Sequence, residues 1–275
     1  MTFAYQGDGA LDYFPCRYGT SKLLFRGPCR ELDRPYCAVL GGTETYGKFV
    51  PQPFPALVEK AGGIRMVNLG CMNAGLDVFV NDPAVLEIAA RSRVTVVQIV
   101  GAQNLTNRFY TVHPRRNDRF LYASPMLRGI FRDVEFTDFH FTRHMLQTLQ
   151  AVSAERFEVV AEELRAAWVA RMIVLLERLP GKTLLLWMAA HPPGQPGKRP
   201  DLTLAPILID AEMIAAVRAH ATDCLEVVSS PEARALGVQG MAFAPMDRLA
   251  AAEVPGPAVH AEVALVLAAR LERLL

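Results

Sequence analysis

Between residues 36 and 101 the chain repeats one pattern three times: a short apolar run ending in glycine, then enough amphipathic sequence for a helix. The runs 36–42 (YCAVLGG), 64–70 (IRMVNLG) and 95–101 (TVVQIVG) read as strands buried on both faces, because their apolar positions are nearly continuous rather than alternating. Helices are expected from about Pro53 to Gly62-Gly63 and from Pro83 to about Arg91. Proline suits the first turn of each, and the glycine pair ends the former. Strands separated by helix-length connections form βαβ units, which predicts a parallel sheet covered on both faces.

The rhythm breaks after Gly101. Residues 102–133 are polar, aromatic and arginine-rich, too long for an ordinary connection, and segments of that kind carry function. Helices follow at about 137–150 and 153–179. In the second, Phe157, Val160, Leu164, Trp168, Met172, Leu175 and Leu179 recur at three- and four-residue spacing and form one apolar stripe, with Ser153 as cap and Pro180-Gly181 as stop. A fourth strand is predicted at 182–190, a Pro/Gly-rich loop at 191–200, a helix at 210–221, a fifth strand at 225–229 and a last helix at 259–275. The expected fold class is α/β: a flavodoxin-like three-layer α/β/α arrangement with a five-stranded parallel sheet and a helical and loop insertion after the third strand. Residues 1–34 are expected to form an N-terminal arm on a single domain, 35–275, with the insertion at about 103–180. Ligands of such folds bind outside the carboxyl ends of the strands.

Composition narrows the functional classes. Lys and Arg number 29 against 28 Asp and Glu, so no global field points to nucleic acid or an acidic membrane as partner. Residues 1–15 lack the basic start and apolar run of an export signal. The longest apolar stretches, 94–100 and 184–190, fall short of the roughly 20 residues that a membrane span needs. Five cysteines, an odd number without C-x-x-C spacing, read as reduced thiols rather than a disulfide framework or structural zinc site. These features predict a cytoplasmic protein without metal or organic cofactor. The arm leaves a homo-oligomer open.

Candidate chemistry lies on the loops. The segment 108–119 concentrates cations and aromatics, among them Arg108, His113, Arg115 and Arg116. Guanidinium groups suit carboxylate, phosphate or sulfate, and aromatic faces suit sugar rings or acyl groups, so a small anionic or carbohydrate ligand is expected there. Alternatively these arginines pair with acids such as Asp118, Asp133 and Glu135 to pin a long loop. Residues 42–48, ending in Gly47-Lys48, meet most of the G-x-x-x-x-G-K phosphate pattern. Phe49 offers no hydroxyl for magnesium, however, and Pro51 and Pro53 prevent an immediate helix. His140 and His144, four apart in an expected helix, could face one way, but neighbouring residues supply no acid to complete a metal site.

Four segments in chain order, Gly41-Gly42-Thr43-Glu44-Thr45-Tyr46-Gly47, Asn68-Leu69-Gly70, Gly101-Ala102-Gln103-Asn104 and the surroundings of His260, resemble the sequence blocks of the SGNH (GDSL) hydrolase superfamily in altered form. The resemblance implies the five-stranded fold and ester hydrolysis or acyl transfer. It puts Thr43 in the nucleophile position, His260 in the place of the general base, and Gly70 with Gln103 or Asn104 in the oxyanion hole. The cations on these loops, Lys48, Arg108, His113, Arg115 and Arg116, are the residues expected to bind substrate. Threonine replaces the family's serine, and Pro257 stands where its aspartate would orient the histidine, leaving a carbonyl, Asp247 or Glu253 for that task. Two other readings stand beside it. One is a catalytically degenerate module that binds a glycan or a protein. The other is a phosphoryl or sulfuryl transferase using the lysine and arginines. Residue by residue, Thr43 and Gly70 also suit plain turns, and His260 the start of a helix.

Overall fold

The computed structural model describes residues 9–197 and 200–275. Strand β1 (Tyr36–Gly41), the one-turn helix α1 (Thr43–Tyr46), α2 (Phe54–Gly62), β2 (Arg65–Gly70), α3 (Asp77–Val80), α4 (Pro83–Ala90) and β3 (Val94–Gln98) form the first half. An insertion follows: β4 (Tyr110–His113), β5 (Arg116–Ala123), α5 (Pro125–Ile130), α6 (Thr142–Val152) and α7 (Ala154–Glu177). The second half holds β6 (Lys182–Ala189), α8 (Ala211–Arg218), β7 (Asp223–Val228), α9 (Pro231–Ala235), α10 (Arg248–Ala252) and α11 (Pro257–Leu274).

The main sheet has five parallel strands in the order β2-β1-β3-β6-β7, the arrangement expected from the βαβ rhythm. Because successive side chains point to opposite faces, each strand feeds two cores. Cys37, Val39, Val94, Val96, Leu184 and Leu186 pack with Phe54 and Val58 of α2 and with Val263, Leu267 and Leu271 of α11. Ala38, Leu40, Val97, Leu185 and Trp187 pack on the other side with the buried stripe of α7, from Phe157 to Leu175. Ser153 caps α7 by accepting from the Arg156 N–H, and Trp168 donates its indole N–H to the Val100 carbonyl at 2.8 Å. A buried donor is thereby satisfied and the backbone after β3 is fixed.

Two local expectations change. The segment after Gly101 contains an antiparallel hairpin, β4–β5, whose register shifts at Thr111–Val112 and Val112–His113 hide the period-2 alternation. The helix expected from 137 begins at Thr142, because Glu135 accepts from the N–H and hydroxyl of Thr137 and bends the chain into a single 3-10 turn, Phe136–Asp138. His140 therefore lies outside α6, and the two histidines do not share a helix face.

Residues 9–34 pack Tyr18, Leu23 and Phe25 into the core. Buried Arg26 donates to the carbonyls of Tyr46 (3.2 Å), Gly47 (2.6 Å) and Pro51 (2.8 Å) and so holds the loop between α1 and α2. Burial lowers the guanidinium pKa from its ordinary value. Among the described residues, no single helix is long and apolar enough to cross a membrane.

Candidate functional site

At the carboxyl end of β1 the chain reverses into α1 with almost no room. A β-carbon on Gly41 would lie 2.1 Å from the Thr45 hydroxyl and 2.4 Å from the Gln98 amide oxygen, so glycine is required there. Gln98, at the end of β3, caps this turn from within. Its amide oxygen accepts from the Gly42 N–H (3.0 Å), the Thr45 N–H (3.3 Å) and the Thr45 hydroxyl (2.6 Å). Its amide nitrogen donates to the Glu44 carboxylate at 2.9 Å.

Thr43 is half-buried at the start of α1. Its hydroxyl accepts from the Asn73 N–H at 2.9 Å and donates to the Asn73 side-chain oxygen at 3.2 Å. Asn73 adopts the left-handed conformation, with φ of 54°, a region that asparagine tolerates better than most residues. Its amide nitrogen donates to Asp118 of β5 at 3.3 Å, and its carbonyl accepts from Asn104 at 3.0 Å. Asn104 in turn accepts from the Thr142 hydroxyl at 2.7 Å. A polar chain therefore ties the β1, β2 and β3 loops to the insertion.

These loops surround an open cleft of about 710 Å³. Its floor comes from Gly42, Thr43, residues 98–101, Gln103 and Asn104, and one wall from Asp118, Phe141 and the start of α6. The opposite side is closed by Met188, Pro206, Ile207, Ala250, Glu253 and Val254. The lining carries Glu44, Asp118 and Glu253 beside Lys48 and Arg143, so its charge is mixed.

Four of the residues singled out from sequence line this cleft: Thr43, Lys48, Gln103 and Asn104. Six do not. Gly70 donates its N–H to the Asn68 side chain at 2.9 Å, and a β-carbon there would meet the Tyr46 nitrogen at 2.4 Å. Its glycine thus serves the close approach of α1 to β2, and the N–H is not available to an oxyanion. Arg108 donates its Nε to buried Glu163 at 2.7 Å, pinning the loop to α7 rather than meeting a ligand. His113 accepts from the Arg115 N–H at 3.2 Å beside the turn between β4 and β5, where Arg115 and Arg116 are exposed away from the cleft.

His260 departs furthest from expectation. It lies in the second turn of α11, 1% exposed, with its ring stacked on Phe54 and its Nδ1 accepting from the Phe54 N–H at 3.1 Å. Burial, with the nearby Arg26 charge adding to it, lowers its pKa to about 3. A base must reach the proton it abstracts. Sealed between α2 and α11, this imidazole does not line the cleft that holds Thr43. Among the described residues no imidazole or carboxylate is hydrogen-bonded to the Thr43 hydroxyl.

Sequence reasoning missed most of the wall. Asn73, Asp118, Phe141, Arg143, His144 and Gln147 reach the cleft because the hairpin and α6 fold back over the β1 and β2 loops. Of these only two carry a local signal: His144, whose spacing from His140 points to a metal, and Asp118, which reads as an ion-pair partner for the neighbouring arginines.

Similarities to solved structures are low in sequence. The chain is similar to a carbohydrate esterase family 2 enzyme plus carbohydrate binding domain from Corynascus thermopiles (Myceliophthora fergusii), at 11% identity and TM-score 0.45, covering 90% of this chain and 69% of that one. It is similar to the lipase Lip_vut3 from a goat rumen metagenome at 10% identity and TM-score 0.43, over 86% and 97% of the two chains. A G-D-S-L family protein from Desulfitobacterium hafniense DCB-2 matches at 12% identity and TM-score 0.38, over 88% and 100%. No curated protein matches the sequence. The family described as "Domain of unknown function (DUF6473)" matches residues 1–275, and the chain belongs to that family.

Proposed function

We propose that the cleft binds an uncharged, hydroxyl-rich small molecule of the carbohydrate class, with Thr43 as part of its floor rather than as a nucleophile. The carrying observation is the state of the Thr43 hydroxyl. It is engaged on both sides by Asn73, and its sequence-expected base, His260, is sealed under α2. A hydroxyl without a base is a weak nucleophile at neutral pH, whereas the same group can bond a ligand. Three carboxylates beside two cations suit a polyol better than an anion. The phosphoryl or sulfuryl transfer reading loses the arginines on which it rested, since Arg108, Arg115 and Arg116 lie outside the lining.

Nuclear magnetic resonance titration of ¹⁵N-labelled protein with methyl pyranosides tests this reading. Shift changes at residues 42–44, 73 and 103–104 are expected at millimolar sugar, a concentration corresponding to about −4 kcal/mol of binding. No change with any sugar of the panel contradicts it.

A second reading is ester hydrolysis or acyl transfer with His144 as base, favoured by one observation: His144 and Thr43 line the same cleft. Short-chain aryl ester turnover abolished in both Thr43→Ala and His144→Ala, but retained in His260→Gln, would establish it. Equal rates in all of them remove it.

A further inference from the structure

Phe141 is an apolar ring that stays 42% exposed on the wall of a polar cleft. Leaving such a ring in water forgoes burial on the order of 1 kcal/mol or more, which a ligand covering it would recover. The ring is held, not loose. The Arg119 guanidinium sits 4.4 Å from its centroid, and the backbones of Arg119 and Phe141 form an antiparallel bridge. The next residue, Thr142, is buried and bonded to Asn104. That bond places Phe141 and Gln103 as chain neighbours of one contact. The Gln103 side-chain oxygen is buried at the cleft and has no hydrogen-bond partner among the described residues. An unpaired buried acceptor costs about 1–3 kcal/mol, and a ligand donor would relieve it.

Resting on the carbohydrate reading of the cleft, we propose that Phe141 is the stacking platform for one pyranose ring and that the Gln103 side-chain oxygen accepts from a hydroxyl of that same sugar. A pyranose has a face of C–H groups and an equatorial fringe of hydroxyl donors. The first matches an immobilised aromatic face, and the second matches acceptors in the lining of the same cleft, Gln103, Asp118 and Glu44. A flat aromatic ligand would use the ring but leave the Gln103 oxygen unpaired; an acyl chain would do the same. Because Arg119 already fixes the ring, stacking costs little side-chain entropy.

The test is calorimetric titration of the tightest-binding methyl pyranoside into wild type, Phe141→Leu, Phe141→Trp and Gln103→Met. Phe141→Leu keeps an apolar side chain but removes the flat face, and a loss of about tenfold in affinity is expected. Phe141→Trp, with a larger face, should bind as well as wild type or better, and Gln103→Met should weaken binding severalfold. All variants alter the cleft lining rather than a packed core, and unchanged unfolding midpoints verify that they fold. Wild-type binding with equal affinity in Phe141→Leu and Phe141→Trp overturns the platform while leaving the carbohydrate reading intact. No binding to wild type overturns both.

Discussion

His260 offers a quantitative check on how the helical layer is built. Its imidazole is buried, neutral, and accepts the Phe54 N–H, and burial lowers its pKa from 6.5 to about 3. The unfolded chain binds a proton near pH 6.5, and the folded chain resists it until about pH 3. Stability from this group is therefore fully present above the unfolded value and is lost as pH falls toward the folded one. The slope approaches about 1.4 kcal/mol per pH unit within that window. Between about pH 6.5 and about pH 5 the group should remove on the order of 2 kcal/mol. Other groups titrate at acid pH, so the informative quantity is the difference between wild type and His260→Gln. Glutamine retains an acceptor for the Phe54 N–H and does not titrate. Urea unfolding of both proteins at about pH 7 and about pH 5 should find wild type losing roughly 2 kcal/mol more than the variant. A difference independent of pH, or a ring-proton titration midpoint near 6.5, would refute the buried neutral histidine.

Other outcomes follow from the loops around Thr43. Arg26→Met removes the donors for the carbonyls of Tyr46, Gly47 and Pro51, and a loss of about 2–4 kcal/mol is expected in denaturant unfolding. An unchanged midpoint would mean that the arm is not a clamp. Gln98→Leu strands the Gly42 and Thr45 N–H groups and the Thr45 hydroxyl, so a loss of about 3 kcal/mol is predicted, against under about 1 kcal/mol for Thr43→Val, at a half-buried position on the cleft floor. Equal effects would place the two residues in the same environment and contradict the structure. Asn73→Gly, which relieves the left-handed backbone and keeps the N–H to Thr43 but removes the side-chain contacts to Thr43 and Asp118, should leave stability within about 1 kcal/mol and weaken sugar binding. The reverse pattern would make Asn73 a stability residue alone.

The βαβ rhythm was readable because it depends on local periodicity: continuous apolar strands, proline at helix starts and the long stripe of α7 all survive into the structure. So does the glycine that closes each of the first two strands. The site was less legible, because what decides it is long-range. Nothing around Arg108 reveals that Glu163, 55 residues on, neutralises it. Nor does the sequence near His260 disclose that Phe54, 206 residues earlier, supplies its partner. The altered motif names Thr43, Gln103 and Asn104, and all three line the cleft, since loop position follows from topology. The roles read from it depended on side-chain partners, and Asn73, Asp118 and Phe141 come from segments that the motif does not reach.

The most direct test of the central claim is covalent: prolonged exposure to excess fluorophosphonate, which modifies a hydroxyl only where a base activates it, followed by intact mass and peptide mapping. A Thr43 hydroxyl bonded only to Asn73 predicts an unmodified chain. A stoichiometric adduct on Thr43 would contradict the account and restore the residue as a nucleophile.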